Sequence, residues 1–275
     1  MRGSRYWVNH IMHALCMLAT LAGISSLFLI LGFLVIQGVG AFNWDLFTQP
    51  ESSGLGISNG IIGTIELVAL ASLLGVPIGV MSGLFLSEYG RRGRFGNILR
   101  FFTDILNSTP SIVVGVFGFA FIVVNTHHFS ALAGAFTLMV LMIPIITRST
   151  EEIALLVPNS LREAALALGV RQWKVILFIV MKTARAGIIT GILLSVARVA
   201  GETAPLVLTA LGNLWPNRSL TEPIAALPLE IYNFATGPDP KLWSQAWAAC
   251  LILVLFVTLT SLLARLSTRR STLRK

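Results

Sequence analysis

Charge is scarce in this 275-residue chain: 12% of its residues are Asp, Glu, Lys or Arg, about half the share of an average soluble domain. With 55% apolar residues and a mean hydropathy of +0.81, that scarcity excludes a soluble globular protein and leaves an integral membrane one. Cysteine is scarcer still. Cys16 and Cys250 each lie in an apolar stretch, which excludes a disulfide framework and a thiolate metal site. There is no CxxC and no HExxH, and the His127-His128 pair belongs to a short loop, so neither a metal nor a catalytic centre is expected. Also missing is any G-x-x-x-x-G-K-[ST] stretch. The chain therefore does not hydrolyse ATP through a P-loop, and energy for pumping must come from a partner or an ion gradient.

What the chain has in abundance is apolar length. A bilayer core needs about 20 apolar helical residues, and six stretches qualify: 13–36, 61–86, 110–124, 131–147, 187–211 and 245–266. The third is short and begins at Pro110; a start near Phe101 with a break at the proline is the alternative. The first follows Arg2 and Arg5, but its run of about 24 residues exceeds the 7–15 of a cleavable signal, so it reads as a retained helix. The expectation is an all-α protein with six transmembrane helices.

Basic residues alternate between loops. They crowd the N-terminus (Arg2, Arg5), the loop after the second stretch (Arg91, Arg92, Arg94, Arg100), the fourth-to-fifth connection (Arg148, Arg162, Arg171, Lys174, Lys182, Arg185) and the tail (Arg265, Arg269, Arg270, Arg274, Lys275). The loop after the first stretch and residues 125–130 have none, and the last loop holds only Arg218 and Lys241. By the positive-inside rule both termini are cytoplasmic. The net charge of +8 thus reflects topology, and no nucleic-acid partner is implied.

The inner connection over 148–186 has internal structure. Pro158-Asn159-Ser160 stops one segment and starts another, Ser160 and Glu163 have capping-box spacing, and Gly169 suits the residue just past a helix end. Leu161, Ala164, Ala165 and Leu168 share a face flanked by Arg162, Glu163 and Arg171. A second helix begins near Arg171-Gln172-Trp173. The short helix is either a plain surface helix or one that docks into another protein's groove.

Inside the fifth stretch stands "SVARVAGETAPL", Ser195 to Leu206. Arg198 falls about 11 residues, or about 16 Å, into that stretch. A mid-membrane charge costs at least about 2.5–3.5 kcal/mol, so it must face protein or water. Glu202 lies one turn further on, and Pro205 cannot bond to the carbonyl of Gly201, so the helix should kink or open there. Two readings stay open: an anion pathway in which Arg198 supplies forked donors, Glu202 neutralises it and Thr203 adds a hydroxyl, or a buried pair that ties helices together. Arg148 is a second anion contact or an inside-positive anchor. The hydroxyls in "NSTPSIVVG" (Asn107 to Gly115) line a pathway or cap helices. Glu66 pairs with Arg198 or Arg148, or is protonated. In the outer loop, Ile224, Leu227, Ile231 and Phe234 form a stripe that fits the membrane surface, with Trp215 and Trp243 as anchors; receiving a binding protein is the sharper reading.

"EAALALG" followed by "VRQWKVILFIVMKTARAGI" resembles the EAA motif of ABC-importer permeases. Together with "FLSEYG", "FFTDILNSTPSIVVG", "IPIITRSTEEIALLVPNSLREAALALG" and "SVARVAGETAPL", it makes the chain from about Gly60 to the last span similar to the PstA-type permeases of phosphate importers. Two features depart from that pattern: Met181-Lys182 stands where many EAA loops have Leu-Pro, and Glu66 is not part of it.

The resemblance implies a type I, MetI-like permease fold over 1–275 in the bacterial inner membrane, with 148–186 as the coupling loop. It places Glu163, Ala164, Ala165 and Gly169 at an ATPase-docking turn. It implies a subunit that moves inorganic phosphate without altering it, with no cofactor and no catalytic residue. The partners it implies are a second, PstC-like permease subunit, a PstB-like ATPase dimer, an extracytoplasmic PstS-like phosphate-binding protein and membrane lipids. Rival readings are a permease for another cargo such as sulfate, molybdate or an amino acid, a secondary anion transporter, and a non-transporting scaffold. A secondary transporter should show an internal repeat, and none is convincing here.

Overall fold

A computed structural model describes residues 2–272 apart from Leu55, Arg92 and Arg218. Of the basic residues counted above, Arg92, Arg218, Arg274 and Lys275 lie outside the described residues. In chain order the helices are α1 (Arg2–Gly40), α2 (Trp44–Thr48), α3 (Ser58–Glu88), α4 (Arg94–Ser108), α5 (Ser111–Thr126), α6 (Ala131–Leu155), α7 (Asn159–Ala167), α8 (Gln172–Val199), α9 (Ala204–Thr209), α10 (Leu227–Thr236) and α11 (Pro240–Thr272). Five of them, α1, α3, α6, α8 and α11, contain a segment long and apolar enough to cross a bilayer.

The sixth crossing is a bent pair. Thr109, which precedes Pro110, is extended (φ −69°, ψ 131°), as a residue before proline prefers, and α4 and α5 meet at 102°. The alternative start before Phe101 with a break at Pro110 is what forms: α4 and α5 reach spanning length and hydropathy only together, bent at that proline. α4 turns aside as an amphipathic helix, with Phe95, Phe101 and Phe102 exposed.

Two expected boundaries move. The fourth stretch does not stop at 147 but runs to Leu155. The fifth does not occupy 187–211: α8 starts at Gln172 and ends at Val199. The inner connection thus shrinks to the residues between Leu155 and Gln172, which hold α7. Charged residues did not end these helices because several are paired along them: Arg148 meets Glu151 and Glu152 within α6. Of the two outcomes expected at Pro205, kinking or opening, the helix opens. The chain ends one helix at Val199 and starts another at Ala204, with proline in the first turn, where its missing N–H is no loss.

Packing centres on α6. Bilayer helices lack a hydrophobic drive to associate, so close backbone approach has to hold them. On α3, Gly75, Gly79 and Gly83 repeat every fourth residue and face α6. A Cβ on Gly79 would lie 2.7 Å from Cβ of Ile146, and one on Gly83 2.6 Å from the carbonyl of Thr147. Gly187 and Gly191 bring α8 against Ile153 and Ser149 on another side. α9 wedges between α5 and α6, its Pro205 on Gly115 and its Leu206 beside Gly134. Leu67, Leu138, Met142, Ile146, Val199 and Leu206 fill this core.

A second, smaller core joins α2, α10 and α11 through Leu46, Leu227, Phe234 and Ala249. Here the outer loop departs from expectation. Ile224, Leu227 and Phe234 are buried, so the stripe faces the protein and not the membrane surface, while Trp215 and Trp243 stay exposed. α1 stands apart. Only 6% of its apolar window is buried, and it leans on α11 through Gly38 against Leu251 and an edge-on Phe33–Trp247 contact at 5.2 Å.

Gly79→Ala should overpack the α3–α6 contact and destabilise the bundle by roughly 1–3 kcal/mol. Gly23→Ala, whose Cβ would meet nothing within 4 Å, should be neutral. Thermal melting of the purified complex in detergent compares the two; equal melting temperatures contradict the packing.

Candidate functional site

Two regions carry the polar chemistry. The first is the break between α8 and α9. After Val199 the last turn tightens: Gly201 N–H donates to the Arg198 carbonyl at 3.1 Å and Glu202 N–H to the Val199 carbonyl at 3.1 Å. Arg198 is therefore in the last turn of its helix, where its positive charge suits the negative end of the helix dipole. Glu202, four residues on, lies with Oε1 3.8 Å from Arg198 Nε. That is a loose pair without a hydrogen bond.

The Arg198 side chain is 55% exposed, against 18% for Glu202. The chain's own helices leave the guanidinium largely uncovered, which argues against a buried tie between helices. Thr203 precedes the first turn of α9 without capping it, so its hydroxyl is not consumed there.

Arg148 is not brought to this break. Ser149 packs on Gly191, seven residues before Arg198, or about 10 Å lower along α8. Its guanidinium faces two carboxylates, Glu152 at 3.1 Å and Glu151 at 3.5 Å. Glu151 is almost fully buried and also accepts from Arg100 Nε at 2.6 Å. Arg100 in turn donates to the carbonyls of Leu86 and Gly90, which joins α4 and the end of α3 to α6. Glu66 pairs with neither arginine among the described residues; it lines a cavity of about 120 Å³ with Asn59, Trp215 and Asn217. The hydroxyls of Ser108 and Thr109 bond to carbonyls of α4's own last turn, so they act as caps.

The second region is α7. No capping box forms: the helix starts at Asn159, two residues earlier than a Ser160 cap would start it, and Pro158 precedes it without a side-chain cap. Its end fits the expectation. Gly169 has φ +76°, Val170 N–H reaches the Ala165 carbonyl and Gly169 N–H the Leu166 carbonyl, which is the Schellman arrangement. Glu163, Ala164 and Gly169 are exposed, and Ala165 is buried. Leu168 is 84% exposed on the same face as the exposed Leu161, an apolar patch on a short polar helix.

Arg162 is not on that outer face. It is buried, and its guanidinium grips Glu88 at the end of α3 (Nη2 to Oε1 2.7 Å, Nε to both oxygens at 3.1 Å). It also donates to the carbonyls of Ala154, at 2.8 Å, and Val157. One side chain thus pins α7 to α3 and α6. Reading the sequence alone assigned Arg162 to the flank of the docking face and passed over Glu88, Arg100 and Glu151. The available signal was that Glu88, in "FLSEYG", is an acid closing a long apolar run.

A bundle of apolar helices, one crossing broken beside an uncovered arginine and an apolar-tipped helix pinned to one end, defines a membrane permease subunit. The chain belongs to the family of binding-protein-dependent transport system inner membrane components, whose pattern matches residues 75–272. Within that class it is 45% identical over 268 residues to phosphate transport system permease protein PstA of Haemophilus influenzae, covering 95% of both chains. It is 41% identical over 217 residues to phosphate transport system permease protein PstA 1 of Mycobacterium tuberculosis, covering 78% of this chain and 71% of that one.

The inward-facing MetNI methionine ABC transporter superposes with a TM-score of 0.63 at 19% identity, over 82% of this chain and 95% of its own. A bacterial ABC transporter that imports the acidic polysaccharide alginate does so with 0.63 at 17%, over 97% and 99%. The fold is therefore that of ABC-importer permeases, as the resemblance implied.

Replacing Arg162 by Met should strand Glu88 and destabilise the α7 end by roughly 3–5 kcal/mol. The double replacement Arg162→Met, Glu88→Leu should recover much of that loss. A double-mutant cycle on thermal melting of the purified complex measures the coupling; simple additivity contradicts it.

Proposed function

We propose that this chain is one half of the transmembrane pathway of an ATP-driven importer of inorganic phosphate. The observation that carries the reading is Arg198: a guanidinium 55% exposed at a helix break, in a chain whose relatives are named phosphate transport permeases. A charge left uncovered in a membrane protein must meet water or another subunit. A second permease subunit of PstC type supplies the facing wall, and the water-filled cleft between the halves is the path of the anion.

Arg198 recognises phosphate oxygens through its forked donors. Glu202 holds the fork loosely when the path is empty and yields when the anion arrives, and Thr203 adds its hydroxyl. Arg148, already faced by two carboxylates, acts in positioning the pathway wall more than in direct contact with cargo.

The exposed patch of Leu161, Ala164 and Leu168 docks on one subunit of a PstB-type ATPase dimer. Glu163 lies at its edge, Ala165 seats the helix inward, and Gly169 makes the turn that ends it. Movement of the ATPase is passed through Arg162 to Glu88 and so to α3. The whole chain is one permease unit with both termini cytoplasmic, and its far side receives phosphate from an extracytoplasmic binding protein of PstS type. A permease for sulfate or molybdate is the rival reading, since a guanidinium suits any oxyanion.

In cells lacking this chain but holding its partners, wild type should restore labelled phosphate uptake that excess sulfate does not suppress. Arg198→Gln, at equal membrane level, should lower uptake roughly tenfold to a hundredfold, the worth of one charge-assisted hydrogen bond at about 1.5–3 kcal/mol. Normal uptake by the variant removes Arg198 from the path; sulfate-sensitive uptake by wild type removes the cargo assignment. Leu168→Asp should leave the chain in the membrane yet abolish co-purification of the ATPase, and retention of the ATPase counts against docking through α7.

A further inference from the structure

Glu230, on α10, is the deepest acid outside the membrane-spanning segments: 1% of it is exposed, and no side chain offers its carboxyl oxygens a hydrogen bond. An ionised carboxylate left in that state is strongly disfavoured. The carboxyl presses on the first turn of α3 at Gly60, where any Cβ would overlap it, so the glycine is the notch that receives it. Glu230 also lines a cavity of about 140 Å³ with Glu51, Leu211, Asn213, Leu229 and Asn233.

The groups that face Glu230 are few. The segment before α3 contributes Glu51, α3 contributes its Gly60 N–H, the loop after α9 contributes Asn213, and α10 itself adds Asn233. Among the described residues no lysine, arginine or histidine lines the cavity. Asn59 does not compensate either, because its amide is engaged with the Glu51 N–H and the Asn213 carbonyl.

We propose that the Glu230 carboxyl is a proton-binding site: protonated, it seats α10 in the Gly60 notch, and loss of the proton unseats α10 from the end of α3. Burial, and after it the charge of Glu51, pushes the Glu230 carboxyl up to about 9, outweighing the Gly60 N–H that pulls it down. Burial also raises Glu51. The sign follows from linkage. Glu230 keeps its proton when seated but ionises near 4.5 once released, so the seated state weakens as pH rises from about 4.5 to about 9 and is strongest in acid. Under the orientation proposed above the cavity lies on the outer side, and acid outside the cell would tighten the outer end of the bundle. The test depends on neither orientation nor cargo.

Hydrogen exchange of residues 227–236 would be followed in the purified complex in lipid nanodiscs across pH 5 to 10, corrected for intrinsic exchange. In wild type, protection should fall by up to about tenfold per pH unit up to about pH 9. Glu230→Gln, which mimics the protonated acid, should hold its protection constant. Glu51→Gln removes the like charge that the ionised Glu230 meets, so its protection at pH 10 should exceed that of wild type, and this reading stands even if Glu230→Gln fails to assemble. Flat protection in wild type overturns the proposal, as does a Glu51→Gln profile identical to wild type.

Discussion

The close seating of α3 on α6 is the contact on which the other arrangements depend. In a bilayer the lipid is as apolar as the side chains, so helices stay together where their backbones can approach. Gly75, Gly79 and Gly83 make that approach possible along several turns of α3. With α3 held, α6 offers its remaining faces to α5, α8 and α9. The two ends of α3 then become attachment points: Glu88 takes Arg162 at one, and Gly60 takes Glu230 at the other. A single helix thus carries at one end the carboxylate that pins α7 and at the other the notch that receives Glu230.

Much of this was legible in the sequence, and for physical reasons. Long apolar runs have one solution in a membrane, so the number and order of crossings followed from length. Pro110 and Pro205 each marked a break, because proline cannot continue the helix that leads into it. Gly169 marked the end of α7, because a left-handed turn there suits glycine. Helix ends were less legible. Hydropathy falls at charged residues such as Glu151 and Lys174, yet a helix continues through them when neighbours one turn away pair or when they project into water, and α6 and α8 both run on.

The polar sites divide along the same line. Arg198, Glu202 and Pro205 stood out because each is costly inside an apolar run, and the structure keeps them together. Arg162 and Glu230 did not stand out. One sits in an amphipathic helix where an arginine belongs on the surface, and the other in an outer loop where an acid is ordinary. Their importance comes from burial, and burial depends on which distant segment arrives on top: Glu88 lies 74 residues before Arg162. Pairings over such separations leave no local periodicity to read.

The bareness of α1 bears on how the chain is made. α1 is made before every other helix described, but the helix it leans on, α11, is made after them all. Among the described residues, no segment made in between gives it a substantial seat. Until α11 arrives, α1 therefore lacks its seat within this chain and is held in lipid by its own hydrophobicity. The ring of contacts from first helix to last closes only once the C-terminal segment arrives, and loop-closure entropy makes so distant a pairing slow. A release of the nascent chain before α11 is complete would leave a well-inserted fragment whose N-terminal helix has nowhere to dock.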